Sequence, residues 1–269
     1  ETRKMLRFYL FIATFIINLN SFANDFITIQ STTSTRDSGL YKYLLPHYPK
    51  YADINIKVIA VGTGQAIMNA KNCDGNILIV HDQKREDAFM RDNFGTHRHK
   101  LMYNDYIIIG PKNNKIKLEN SESILEVFSK IYNNKLTFIS RSDSSGTHAA
   151  EMAVWKKINL NPRIHSGSWY LESGQGMGPS LNIAISMNAI ILSDRSSWLR
   201  FNNKVNHEIL YTNHKELRNN YSMILVNHKR CNNLNFSAAK ELYDWLASDE
   251  AALLIKDYKI KAKRVFYID

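Results

Sequence analysis

Cysteine is almost missing from this chain, with Cys73 and Cys231 alone among 269 residues. No zinc-finger spacing is present, and neither is an RNP or Walker pattern. Lysine and arginine never form a run of five or six, although the formal net charge is +10. The excess cations therefore read as solvated surface, not as a nucleic-acid footprint. Internal repeats and low-complexity linkers are missing too. So is the G-x-S-x-G elbow, which argues against a hydrolase of that type. After the first two dozen residues no apolar run approaches membrane length. What remains is an ordinary globular composition, 44% hydrophobic and 22% charged, enough for one large domain or two smaller ones.

The N-terminus has the layout of a secretory signal. Arg3, Lys4 and Arg7 precede an apolar stretch from Phe8 to Ile17, and Ser21-Phe22-Ala23 closes it with small residues at −3 and −1. We expect residues 1–23 to be a signal peptide and the mature chain to be exported; an uncleaved anchor is the alternative. No cysteine follows the apolar run, so a lipid anchor is not expected. In an oxidising compartment Cys73 and Cys231 either pair or stay as two thiols, and their spacing does not decide between these.

From Asp25 strands and helices alternate. "FITIQ", "INIKVIAV", "NILIV", "YNDYIIIG", "KLTFIS", "AIILS" and "YSMILVN" read as strands. Between and after them, "SGLYKYLLPHYPKY", "GQAIMNAK", "SILEVFSKIYNN", "GTHAAEMAVWKKI", "SLNIAISMN" and "SAAKELYDWLASDEAALLIKDY" carry helical spacing. Such alternation predicts βαβ units and a largely parallel sheet flanked by helices.

Ligands of open α/β sheets bind beyond the carboxyl ends of strands, at helix N-termini. Four such junctions are rich in hydroxyls and glycine: "STTSTRDSG" (31–39), "GTGQ" (62–65), "RSDSSGTH" (141–148) and "ESGQGMG" (172–178). One junction alone reads as helix capping. Four together point to a bound oxyanion, since glycine lets backbone N–H groups approach and hydroxyls donate without adding charge.

At these junctions the chain resembles the tungstate-binding components of bacterial ABC importers, a type II periplasmic binding protein family. "STTSTRDSGL", "KVIAVGTGQAI", "LMYNDYIIIGP", "FISRSDSSGTH", "WYLESGQGMGPSLNIA" and "DWLASDEA" carry the likeness. They span nearly the whole chain after the signal. "RSDSSGT" is also similar to the arginine loop of phosphate-binding proteins. The resemblance implies two α/β lobes, residues 24–108 plus 212–269 and residues 109–211, with the anion in the cleft. It implies a monomeric, periplasmic, non-enzymatic protein that delivers its anion to a membrane permease and uses no cofactor. The ligand set it implies is Thr32, Thr33, Ser34, Thr63, Gly64, Arg141, Ser145, Gly146, Thr147 and Gly176. Tungstate is the expected ligand, with molybdate or phosphate as alternatives and a secreted hydrolase as a remote one. The chain departs from the family at Ser31, at Ser142 and Ser144, and at Ser196-Ser197-Trp198.

Tungstate and molybdate carry no proton at neutral pH, so they need a shell of donors. Asp143 is the awkward residue there. Facing the ligand it would suit a protonated anion, while turned onto Arg141 it would hold the guanidinium, which is the family's arrangement. His97 and His99 read as surface positions on a basic loop. His148 falls just inside a helix, and His81 either lines the cleft or is buried neutral.

Overall fold

The computed structural model describes residues 26–114, 116–213 and 215–269; the expected signal peptide lies outside them. The strands are β1 (Phe26–Thr32), β2 (Asn55–Val61), β3 (Ile77–Val80), β4 (Gly95–Pro111), β5 (Phe138–Ser140), β6 (Tyr170–Glu172), β7 (Ile190–Asp194), β8 (His207–Thr212) and β9 (Arg218–Val226), with a small hairpin of β10 (Lys259–Ile260) and β11 (Lys263–Arg264). The helices are α1 (Thr33–Asp37), α2 (Leu40–Leu44), α3 (Thr63–Lys71), α4 (Gln83–Arg91), α5 (Ile124–Asn133), α6 (Gly146–Lys157), α7 (Met177–Ser186), α8 (Arg195–Arg200), α9 (Phe236–Leu246) and α10 (Asp249–Asp257).

Two parallel triplets, β2-β1-β3 and β6-β5-β7, form the outer parts of the sheet system. Long antiparallel strands join them. β4 pairs with β9 from Gly95 to Asp105, then changes partners and pairs with β7 and β8 from Tyr106 onward. The fold is thus the expected mixed α/β architecture, parallel outside and antiparallel where the chain crosses. Arg195 braces the crossing: its Nε lies 2.8 Å from Asp105 Oδ1 and its Nη2 2.6 Å from Thr212 Oγ1.

Each half is a sheet between two helical layers, and the period-2 alternation of the strands divides the core accordingly. Ile77, Ile79, Met223 and Leu225 face α2, α9 and α10, whereas Leu78, Val80, Ile224 and Val226 face α3 and α4. Likewise Tyr106 and Ile108 face α5 and α6, and Ile107 and Ile109 face α7 and α8. In α5 the buried residues Ile124, Val127, Phe128 and Ile131 form the i, i+3, i+4, i+7 stripe that such packing needs. Cys73 and Cys231 are joined in a disulfide. His97 and His99 are in β4, not on a loop, because β9 supplies partners to this charged segment.

Candidate oxyanion site

The parallel strands β1, β2 and β5 run into hydroxyl-rich turns at their carboxyl ends. At the end of β1, Ser31 turns into the core, its Oγ 2.6 Å from Tyr41 Oη and donating to Ile79 O at 3.0 Å. The next hydroxyls do not follow it. Thr32 Oγ1 sits 3.2 Å from Ser34 Oγ and 2.8 Å from Thr35 Oγ1. Ser34 and Thr35 are buried, and Thr33 is half-buried at the start of α1. After β2, Gly62 precedes α3 and offers no side-chain cap.

Across from these, Arg141 follows directly on β5 and is 4% exposed. Its Nη2 donates to Asp143 Oδ2 at 2.5 Å, while its Nε has no protein partner among the described residues. Asp143 Oδ1 also accepts from the backbone of Ser145 at 3.1 Å. The carboxylate is therefore turned onto its own loop. Ser145 caps α6, accepting from His148 N at 3.1 Å, so the capping reading of "RSDSSGTH" holds for this one serine.

The two sets of turns meet. Gly146 N donates to Thr63 Oγ1 at 3.1 Å, and Gly64 N donates to Ser144 O at 3.0 Å. A Cβ on Gly146 would lie 2.4 Å from the His81 ring, so only glycine lets β3's end and α6's start come this close. His81 Nδ1 lies 2.9 Å from Asn219 Oδ1 and 3.1 Å from Tyr106 Oη. Burial drives its pKa down to about 4, the Arg141 charge adds to this, and Asp194 and Asn219 oppose it. The ring is neutral at pH 7. Burial holds the Tyr106 and Tyr221 hydroxyls above the ordinary tyrosine range, with Thr147 beside the first and Ser34 and Thr35 beside the second. Both tyrosines are therefore protonated donors. Asp194, 1% exposed, caps α8 through Oδ1 at 2.9 Å from Ser197 N, and its Oδ2 has no protein partner among the described residues.

Of the ten residues expected from sequence, Thr32 and Ser34 form one hydroxyl cluster. Thr63 meets Gly146, and Gly64 meets Ser144, which was not among the ten; Arg141, Ser145 and Thr147 lie on the same loop and helix as Gly146. Thr33 lines a recess of about 190 Å³ with Ser34, Met177, Gly178 and Arg200. Gly176 stands at the uncapped start of α7, where an added Cβ would meet nothing within 4 Å. Ser173 ties that loop to β5 through Ser140 O at 2.9 Å. Sequence reasoning passed over Thr35, Tyr106, Asn219, Tyr221 and Asp194. An aromatic hydroxyl inside an apolar strand gives no signal until pairing brings it to the cleft.

A hydrolytic reading finds no support in the histidine nearest the arginine loop. Ser140 Oγ donates to Glu151 Oε2 at 2.7 Å, and both groups face the same nitrogen of His148, at 3.2 and 3.6 Å. Arg163 Nη2 takes the other nitrogen at 3.0 Å. A triad needs serine and acid on opposite nitrogens. Groups of three or more metal-binding side chains are not found among the described residues.

Turns from both parallel triplets of one mixed α/β sheet system meet here, the arrangement of the PBP class. A PBP superfamily domain model matches residues 23–250. The tungstate-binding protein TupA of Peptoclostridium acidaminophilum is 38% identical over 238 residues, covering 88% of this chain and 82% of that one. TupA of Campylobacter jejuni is 39% identical over 242 residues, covering 88% of each. The crystal structure of the tungstate ABC transporter from Geobacter sulfurreducens matches with a TM-score of 0.78 and 37% identity, covering 87% of this chain and 99% of that one. The chain belongs to the PBP superfamily and, within it, to the family of these tungstate-binding proteins.

Proposed function

We propose that this protein binds tungstate outside the cytoplasm and delivers it to an ABC importer, as a binding protein and not an enzyme. The observation that carries the reading is Arg141, a buried guanidinium whose Nε has no protein partner among the described residues, set among hydroxyls and helix starts. A donor shell of this kind suits an anion with no proton to give. Asp143 is held by Arg141 and Ser145 N and so does not offer itself to a protonated phosphate. Molybdate shares the shape and charge of tungstate and is the alternative ligand.

In this reading residues 24–108 plus 212–269 form one lobe and residues 109–211 the other. Thr32, Thr33, Ser34, Thr63 and Gly64 approach the anion from the first. Arg141, Ser145, Gly146, Thr147 and Gly176 approach it from the second. Charge-assisted hydrogen bonds contribute about 1.5–3 kcal/mol apiece. A few of them reach the roughly −12 kcal/mol of nanomolar binding after association costs. Residues 1–23 direct export as a cleaved signal, and the mature protein acts as a monomer that presents its closed form to the permease.

The test is thermal. A ligand that binds only the folded state stabilises it by about 4 kcal/mol at a thousandfold excess over its dissociation constant. Micromolar tungstate should therefore raise the melting temperature by several degrees. No shift with tungstate, molybdate, phosphate or sulfate would sink the anion-binding reading.

A further inference from the structure

Helix α8 joins the two proposed lobes through consecutive side chains. Trp198 is buried among the residues facing α7, in the half that holds Arg141, whereas Leu199, 7% exposed, packs in the opposite core with Tyr41 and Leu44. Arg200 follows. Its Nε donates to Ser38 O at 2.6 Å, and its Nη2 donates to Tyr258 Oη at 2.9 Å. Tyr258 Oη in turn donates to the same Ser38 carbonyl at 2.5 Å. Ser38 is the residue that ends α1, and α1 begins at Thr33 and Ser34. Beside it, Gly39 has φ +80°, and a Cβ there would lie 2.2 Å from Arg200 Nη2. Glycine at this position thus serves both the left-handed turn and the seating of the guanidinium.

We propose that Arg200 is the bolt of the closed cleft, a positioning residue that touches no ligand. It fixes α1, and with it Thr33 and Ser34, against the half that carries Arg141. Its effect falls on how slowly the anion leaves, because the bolt forms only when the lobes are together. The proposal rests on the oxyanion-binding reading for its kinetic consequence, though not for the closure itself. A lysine keeps the charge but cannot span Ser38 O and Tyr258 Oη together.

The experiment uses the mature protein and the variants Arg200→Ala, Arg200→Lys and Tyr258→Phe. Tungstate dissociation is followed by tryptophan fluorescence in stopped flow, and small-angle X-ray scattering gives the radius of gyration with and without tungstate. Arg200→Ala should speed dissociation about tenfold, a loss of two charge-assisted hydrogen bonds discounted for exposure, while association stays within about twofold. Arg200→Lys should recover part of this, and Tyr258→Phe should show a smaller acceleration than Arg200→Ala. Wild-type dissociation rates in all three variants would overturn the bolt. If the wild type binds no tungstate, the functional reading fails and scattering alone decides. In anion-free buffer Arg200→Ala then has the larger radius of gyration if the bolt is real, and equal radii overturn it.

Discussion

Arg141 differs from the other cations of this basic chain in burial and in what surrounds it. Its Asp143 partner fixes the planar fork, and Nε remains directed at no protein acceptor among the described residues. Arg141→Ala should cost about 2–5 kcal/mol of tungstate binding, because a buried dianion loses a full positive charge. Arg141→Lys should cost less but still weaken binding, since an ammonium cannot match a two-oxygen fork. Exposed Lys112→Ala should leave affinity unchanged. Calorimetry on the three variants, with circular dichroism to confirm folding, checks this; equal small losses would misplace the site. His81 gives a second test. Its folded pKa is lowered, so the unfolded chain takes the proton first as pH falls. The stability tied to the neutral ring is complete above about pH 6.5 and is lost down to about pH 4. The loss amounts to at most about 3 kcal/mol. Urea unfolding between about pH 7 and pH 4.5 should show a shallower loss in His81→Gln than in the wild type. Parallel profiles would contradict a buried neutral histidine. At this scale the sequence disclosed residue types at the strand ends but not their directions. Ser31 and Thr32 look alike in sequence, yet one hydroxyl enters the core and the other joins the hydroxyl cluster at the start of α1.

Elements whose core face is written in their own residues were legible, and those completed by distant partners were not. β3, "ILIV", is apolar throughout because both of its faces are covered. The stripe of α5 is equally plain. By contrast α4, "QKREDAFMR", was missed: a mostly charged helix buries little beyond Phe89 and Glu86, and Arg98 from β4 satisfies the latter at 2.7 Å. The first half of β4 looked like a basic loop because its strand character comes from β9, more than a hundred residues later. The disulfide belongs to the same class of long-range facts. It links the turn after α3 to the segment between β9 and α9 across 158 residues of sequence. Closing so long a loop removes roughly 5 kcal/mol of unfolded-chain entropy in the simplest account. Reduction should therefore lower the melting temperature by several degrees while the fold persists, as dithiothreitol titration with circular dichroism would show. An unchanged melting temperature would mean that the link constrains little.

At the scale of the whole molecule, the antiparallel crossing strands set the outcome. β4 and the β8–β9 return bring two parallel triplets together so that their carboxyl-end turns oppose one another. Separate turns that each resemble ordinary helix caps thereby come into contact. The mixed α/β class could be expected from the order of strands and helices, and an oxyanion from the four junctions, whereas two lobes were what the family resemblance implied. The tyrosines and asparagine of the crossing strands could not, because only the register of β4 against β9 brings Tyr106 and Asn219 beside His81. Isothermal titration of the mature protein with tungstate, molybdate, phosphate and sulfate in turn tests the central claim most directly. The account predicts one site per chain, tungstate in the nanomolar range, and phosphate and sulfate weaker by orders of magnitude. Phosphate binding more tightly than tungstate, or no heat with any of the four, would contradict it.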